Sequence, residues 1–463
     1  MNPPVDQSFR DKIATADEHG RRIWVYPTKP KGKLHSSRTF VSYFLIAFLL
    51  GAPFIKIGGE PLLLFDIINR KFIIFSYIFW PQDFHLFVLG TITLTVFIVL
   101  FTAVYGRLFC GWICPQTIFM EMVFRKIEYL IEGNAGAQRR LNNSHLSFNK
   151  FVKKTTKHSI FYSISFLIGN IFLAYFIGVD QLQKIVIDPP SQHVTGLIAM
   201  IIFSFLFYGV FAWFREQVCT LVCPYGRLQS VLLDDNTIVI AYDHIRGEPR
   251  SEVSRNEDFS NRGHCIDCEL CVKVCPTGID IRNGTQLECI NCTACIDACN
   301  STMKKMNLPP GLIRYASGNN IERKEKFKFT ARIFGYTTAL VFLLGLLTIL
   351  MLNRTEIETT ILRTPGTLYE ETVEGTIKNL YTIKIVNKTN LEKEVSLKIT
   401  SHDGEVTIIG GNLTLNKNDL AETVFFVEID KAIIYTTNTL ITIAVYSNEE
   451  KLEEITTNFL GPN

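Results

Sequence analysis

Charge is scarce in this 463-residue chain. Only 20% of its residues are Asp, Glu, Lys or Arg, against roughly 25% in an ordinary soluble domain. Apolar residues reach 47% and mean hydropathy is +0.19, which excludes a disordered chain and points to membrane segments. A strong basic excess is absent as well. The formal net charge of +3 is too small for a nucleic-acid-binding surface. No glycine-rich phosphate loop and no Ser/His/Asp set stands out, so a nucleotide site has no support. Residues 1–38 hold no short apolar core followed by a cleavage site, and no signal peptide is expected. Isolated cysteines are missing altogether. The twelve fall at 110/114, 219/223, 265/268/271/275 and 289/292/295/299, each with a partner three or four positions away. Small core cysteines would scatter; these read as ligands or redox groups.

A membrane span needs ~20 mostly apolar residues. Five stretches qualify, about 39–58, 84–106, 158–178, 194–214 and 330–352. A sixth, 61–80, carries Asp66, Asn69, Arg70 and Lys71 near its middle. Charges at a helix centre cost ~2.5–3.5 kcal/mol each, so this stretch is placed in an outer interface, with Asp66, Arg70 and Lys71 on the wetted face of an interfacial helix. The segment 107–157 holds nine Lys and Arg, whereas 59–83 holds two and 179–193 only Lys184. By the positive-inside rule, five spans leave the N-terminus, 107–157 and 215–329 inside, and 353–463 outside. Six spans would send the nine-charge loop outward.

FCGWICP (109–115) and VCTLVCP (218–224) lie 109 positions apart, each just after an out-to-in span. Each precedes a helix-like segment, which predicts two repeated helical hairpins. The tail alternates apolar with polar or Thr residues in NLYTIKIVN, EVSLKIT, ETVFFVEI and LITIAVYS. That period of two predicts about seven short antiparallel strands and a β-sandwich. It holds no cysteine, and so no disulfide. The resulting plan is a cytoplasmic segment (1–38), a four-span domain with two Cys-x-x-x-Cys-Pro motifs (39–214), a cytoplasmic region (215–329), a fifth helix (330–352) and an outer sandwich (353–463). An α+β ferredoxin-like domain is placed at about 255–310.

HCIDCELCVKVCP (264–276) has the spacing of the bacterial ferredoxin run, and ECINCTACIDACN repeats it with Asn300 in the proline position. In that run three thiolates wrap one cubane and the fourth reaches its neighbour. Cluster one therefore takes Cys265, Cys268, Cys271 and Cys299; cluster two takes Cys275, Cys289, Cys292 and Cys295. Zinc pairs do not explain a triple with this spacing, and disulfides are disfavoured on a cytosolic face. Two [4Fe–4S] clusters are expected, with His264 solvated beside the first ligand.

Cys110/Cys114 and Cys219/Cys223 sit four apart, hence on one face of a helix. Pro115 and Pro224 then kink the helix or restart it. Four thiols would converge if the halves pack about a pseudo-twofold axis. They could pack the helices, hold a third iron–sulfur centre or zinc, cycle as dithiols, or handle copper, because soft thiolates favour Cu(I). His85 and His193 are weak candidates for transient metal ligands at the outer mouths of spans. Trp24, Trp80, Trp112 and Trp213 fit an aromatic belt.

WPQDF (80–84), CGWICPQT (110–117), CPYGRLQSVLLDDNTIVIAYD (223–243), RGEPR (246–250) and the two cysteine runs resemble the cytochrome c oxidase accessory family CcoG, also called FixG, nearly end to end. The resemblance implies an immunoglobulin-like outer domain, residence in a bacterial inner membrane, and reduction of Cu(II) to Cu(I) in maturing cbb-type oxidase. It implies an electron relay on the eight cysteines from 265 to 299, with Cys110, Cys114, Cys219 and Cys223 as the copper-proximal dithiols. Copper would be substrate or transient ligand. Expected partners are a cytoplasmic electron donor, a copper chaperone or oxidase subunits, membrane lipid and a second copy of the chain. Two alternatives stand beside this: a quinol-linked relay of the nitrate- and nitrous-oxide-reductase maturation type, and a non-enzymatic assembly scaffold.

Overall fold

The computed structural model describes residues 14–462 except 68–70, 76, 253–261, 326–327, 365, 367, 373–374, 390, 412 and 448–449. The chain forms two compact units, Met1–Leu346 and Leu347–Asn463.

Five helices in the described residues are long and apolar enough to cross a membrane: Lys33–Phe54, Phe84–Tyr105, Phe148–Ile177, Val194–Phe214 and Ala331–Leu352. Threonines inside the second span return their hydroxyls to carbonyls four residues back, as Thr93 does to Leu89 at 2.7 Å and Thr102 to Ile98 at 2.7 Å. This satisfies polar groups that lipid cannot. The third and fourth spans meet through small residues. Ser165 and Ser204 are fully buried, and Gly169 leaves room for the Phe203 ring, the close approach that membrane helices favour. Phe124 stacks on Phe211 at 4.6 Å and meets Phe161 edge-on at 4.9 Å.

The stretch 61–80 is not an interfacial helix. It forms an antiparallel meander of strands Leu63–Asp66, Lys71–Ile74 and Tyr77–Phe79, with Leu63 opposite Ile74 and Asp66 opposite Lys71. Asp66 and Lys71 flank the hairpin turn, where charge costs little, while β-branched and aromatic residues fill the strands. Lys71 pairs with Glu60 at 3.2 Å. Asn69 and Arg70 lie outside the described residues.

The thiol motifs depart from one continuous helical face. Helix Leu108–Trp112 ends before Cys114, whose backbone is extended (φ −58°, ψ 122°), and Pro115 opens a new helix. Cys223 (φ −69°, ψ 114°) and Pro224 repeat the break. Proline pushes the residue before it out of the helical region and suits the first helical position. Each cysteine pair therefore straddles a helix break. The preceding spans also end alike, at Gly106 (φ 54°, ψ −129°) and at Arg215 (φ 54°, ψ −123°). Glycine adopts this backbone freely; arginine does so under strain.

The ferredoxin-like part is α+β. Strands Val239–Tyr242 and Ile313–Ala316 pair antiparallel, and helices Leu270–Lys273 and Ala294–Lys305 carry cysteines over a core that includes Ile240, Ile279, Ile281, Ile296 and Leu312.

In the second unit, two antiparallel sheets form the sandwich. One orders Gly404–Ile408, Leu420–Asp430, Thr376–Asn387 and Ile357–Arg363; the other orders Leu413–Leu415, Lys393–Ile399, Asn438–Ser447 and Glu450–Leu460. Ile377, Tyr381, Ile383, Phe425, Val427, Ile441, Ile443 and Phe459 are buried between them. Their alternation is the period of two that the sequence shows.

Candidate functional site

The structure gathers the eight cysteines from 265 to 299 in two groups. Cys265, Cys268, Cys271 and Cys299 line one pocket, together with Tyr242, Arg282, Leu312 and Ile313. Cys275, Cys289, Cys292 and Cys295 face one another elsewhere, each within electrostatic reach of the others. The two Cys-x-x-Cys-x-x-Cys loops share a backbone. Asp267 and Glu269 in the first, and Asn291 and Thr293 in the second, have φ between 50° and 67°. Left-handed residues among right-handed ones turn successive N–H groups into a concavity that binds anions and iron–sulfur groups. Thiol quartets lining such concavities fit a cubane. Burial pushes the thiols of Cys271, Cys289 and Cys299 up to about 12 and that of Cys292 to about 11. A metal-free chain therefore holds these protons at neutral pH and releases them as metal binds.

RGEPR supports the first quartet. The Cys265 N–H donates to the Gly247 carbonyl at 3.3 Å, and the Tyr242 hydroxyl donates to Glu248 at 3.1 Å. Arg246 Nε donates to His264 Nδ1 at 2.9 Å, so His264 is tied down beside Cys265. Arg282 is clamped by Asp280 at 2.6 Å and by Asp267.

The second quartet touches the first thiol motif. Cys110 joins the apolar cluster of Val274, Ile290, Cys292, Ala294 and Cys295. A Cβ at Gly111 would collide with the carbonyls of Ile290 and Asn291, so glycine is what lets the motif lie on that loop. Trp112 Nε1 donates to the Tyr315 hydroxyl at 3.1 Å, which donates to the Asn291 carbonyl at 3.3 Å. Arg38 Nε donates to the Gly111 carbonyl at 2.5 Å. Arg107 reaches both the Leu287 and Gly226 carbonyls.

The two motifs cross-link each other. Gln229, which follows the second motif, donates to Cys110 Sγ at 3.3 Å, and Gln116, which follows the first, donates to the Arg215 carbonyl at 3.4 Å. Cys219 lies within electrostatic reach of Cys110, Cys114 and Cys223. Burial pushes the Cys110 thiol up to about 11 and Cys219 to about 12. Among the described residues no three His, Cys, Asp or Glu side chains stand together at a spacing that holds a single ion. The four thiols lie within electrostatic reach of one another across the two motifs.

Buried charge anchors the second motif. Arg215 grips Glu128 through two bonds at 3.0 and 2.8 Å, and Arg125 and Arg22 reach Glu216 at 3.4 and 3.2 Å. Burial alone would raise the Glu128 carboxyl, but Arg215, Lys157 and Arg125 outweigh it and hold it below the usual carboxylate range. Trp24 stacks under Arg22 at 3.8 Å. Of the remaining candidates, His193 bonds Asp188 at 2.9 Å and His85 is exposed. Neither joins the thiols.

Spacing reveals none of Tyr242, Arg38, Arg107, Gln229 or Tyr315. Their roles arise from contacts between segments far apart in the chain.

Two cysteine quartets on a ferredoxin core, joined to five apolar helices, define a membrane-bound iron–sulfur electron-transfer protein. Family models agree: a 4Fe-4S dicluster domain matches residues 214–318, a 4Fe-4S binding domain matches 87–134, and the IG-like fold at the C-terminal of FixG matches 347–462. Protein RdxB of Cereibacter sphaeroides is 32% identical over 406 residues, covering 84% of each chain. Protein RdxA of the same organism is 32% identical over 413 residues, covering 85% of this chain and 86% of its own. The nitrogen fixation protein FixG of Rhizobium meliloti is 29% identical over 441 residues, covering 85% and 82%. A crystal structure of a FixG-related protein from Vibrio parahaemolyticus covers 23% of this chain and 97% of its own, at 20% identity and a TM-score of 0.20. The chain belongs to the FixG family.

Proposed function

We propose that this protein reduces Cu(II) to Cu(I) for the assembly of a cbb-type cytochrome c oxidase. The observation that carries the reading is the packing of Cys110 against the apolar cluster that contains Cys292, with Gly111 against the Ile290–Asn291 backbone. Cys265, Cys268, Cys271 and Cys299 would hold one [4Fe–4S] cluster, and Cys275, Cys289, Cys292 and Cys295 the other. Bound there, the clusters supply single electrons.

Cys110, Cys114, Cys219 and Cys223 receive the ion. Each Cu(II) takes up one electron and becomes Cu(I), and a thiol that ligates it gives its proton to solvent. Pairs of soft thiolates suit Cu(I) and favour it over Cu(II). Gln229 fixes the Cys110 sulfur through its N–H. The lysine- and arginine-rich segment 107–157 supports a cytoplasmic ferredoxin region and a periplasmic sandwich. The donor is then cytoplasmic, and the sandwich docks an oxidase subunit or copper carrier.

The test is anaerobic Cu(II) reduction by the purified, chemically reduced protein, read with a Cu(I) chelator. Replacing Cys110, Cys114, Cys219 and Cys223 by Ser is expected to abolish rapid reduction while the cluster absorbance and EPR signals persist. Unchanged rates in that variant would remove the dithiols from the reaction.

A further inference from the structure

A cavity of about 510 Å³ lies at the N-terminal end of the first span, lined by Lys29, Lys31, His35, Lys126 and Tyr129 among others, with no carboxylate in its wall. Among the described residues none of the three lysines makes an ion pair. Lys126 gives one N–H to the Tyr43 hydroxyl at 3.0 Å and stands 4.7 Å over that ring, which leaves its other donors available. The carboxylate that reaches this region, Asp297, is already engaged. It accepts the backbone N–H groups of Leu34 at 3.3 Å and His35 at 2.7 Å, and it is 8% exposed. Three ammonium groups without an ion-pair partner among the described residues, set around one concavity, repel one another and attract an anion.

The span that begins at this cavity shows what kind of anion it meets. Phe40, Tyr43 and Phe44, one turn and more beyond the lining residues Ser36 and Thr39, are 76%, 50% and 66% exposed. An apolar face directly above a cationic cup matches a molecule that is anionic at one end and hydrocarbon at the other.

We propose that this cavity binds a phosphate group, presented as the headgroup of an anionic phospholipid whose chains lie along Phe40 and Phe44. The site also bears on the ferredoxin part. Asp297 sits between Cys295 and Cys299 and holds the same helix start that borders the cavity, so occupancy steadies the segment that carries both cysteines.

The experiment uses the full chain in phosphatidylcholine nanodiscs doped with phosphatidylglycerol, with native mass spectrometry to read retained lipid. A second arm titrates inorganic phosphate into detergent-solubilised protein. The native chain is expected to retain phosphatidylglycerol over phosphatidylcholine. K29Q/K31Q/K126Q is expected to weaken retention on the order of 100-fold, and K29R/K31R/K126R to restore it. Intact cluster absorbance establishes that each variant is folded. Saturable inorganic phosphate binding, lost in the Gln variant and without lipid preference, upholds the phosphate site and moves its source to solution. Equal retention of both lipids by the native chain with no phosphate binding, or equal retention by the native and Gln proteins, overturns the proposal.

Discussion

The first Cys-x-x-x-Cys-Pro motif lies on the loop of the second cysteine quartet, whereas the second motif, 109 positions later, is held by buried charge. Their frames match. Each follows a span that ends at φ 54°, and each breaks between its cysteines and restarts at proline. Their surroundings diverge at a few positions. Gly111 lets the first motif touch the Ile290–Asn291 backbone, and the equivalent residue of the second is Thr220. Gly106 turns without strain, and the equivalent Arg215 turns because Glu128 holds its guanidinium through two short bonds. The frame is shared, while one half rests on the loop of the second quartet and the other is held by buried charge.

The largest expected effect breaks the anchor. Glu128→Ala leaves the buried cations Arg215, Lys157 and Arg125 without their shared carboxylate, and unfolding in detergent should show a loss of about 3–5 kcal/mol. The carboxyl of Glu128 is held low, so its contribution is present above its unfolded-state pKa and lost as pH falls through the native one. The native protein should lose stability in acid over that window and the variant should not.

Next comes the contact. Gly111→Ala drives a methyl into two carbonyls and should cost about 1–3 kcal/mol, with slower oxidation of the reduced clusters by Cu(II) in stopped-flow absorbance. Thr220→Ala, the same position in the other motif, should leave that rate unchanged. Equal slowing in both would erase the distinction between the halves.

A smaller effect tests the cross-link. Gln229→Leu removes the donor to Cys110 Sγ and should weaken Cu(I) binding by about 1 kcal/mol in chelator competition.

The smallest separates the thiols by proton affinity. Burial raises Cys110 to about 11 and Cys219 to about 12, so in copper-free protein both stay protonated and slow toward iodoacetamide at pH 7. Alkylation should rise with pH, Cys110 before Cys219. The folded chain keeps these protons where the unfolded chain loses them. Their contribution to stability is therefore full below about pH 8.5 and falls as pH climbs toward 11 and 12.

Hydropathy was enough to find the spans, because a helix in lipid must be apolar along its whole length. Spacing was enough to group Cys299 with Cys265, Cys268 and Cys271, because few arrangements let four thiolates reach one cubane. Residues 61–80 misled, since a run with charge in its middle reads the same for an interfacial helix and for a hairpin whose strands end in charged residues, as at Asp66 and Lys71. Four-residue spacing misled at the thiol motifs, because Pro115 and Pro224 restart the helix and do not merely bend it. Tyr242, Gln229 and Arg107 carried no signal of their own, being common residues whose partners lie at Glu248, Cys110 and the Leu287 and Gly226 carbonyls.

By itself the amino-acid order determined how many helices are apolar enough to span, which thiols group together, and the strand period of the tail. These follow from local chemistry repeated at fixed intervals. Tertiary structure alone decided that Gly111 rests on the 290–291 backbone, that Gln229 reaches Cys110, and that Arg215 is held in a strained turn by Glu128. Those pairings join segments 87 to 180 positions apart, and proximity of that kind is set by packing.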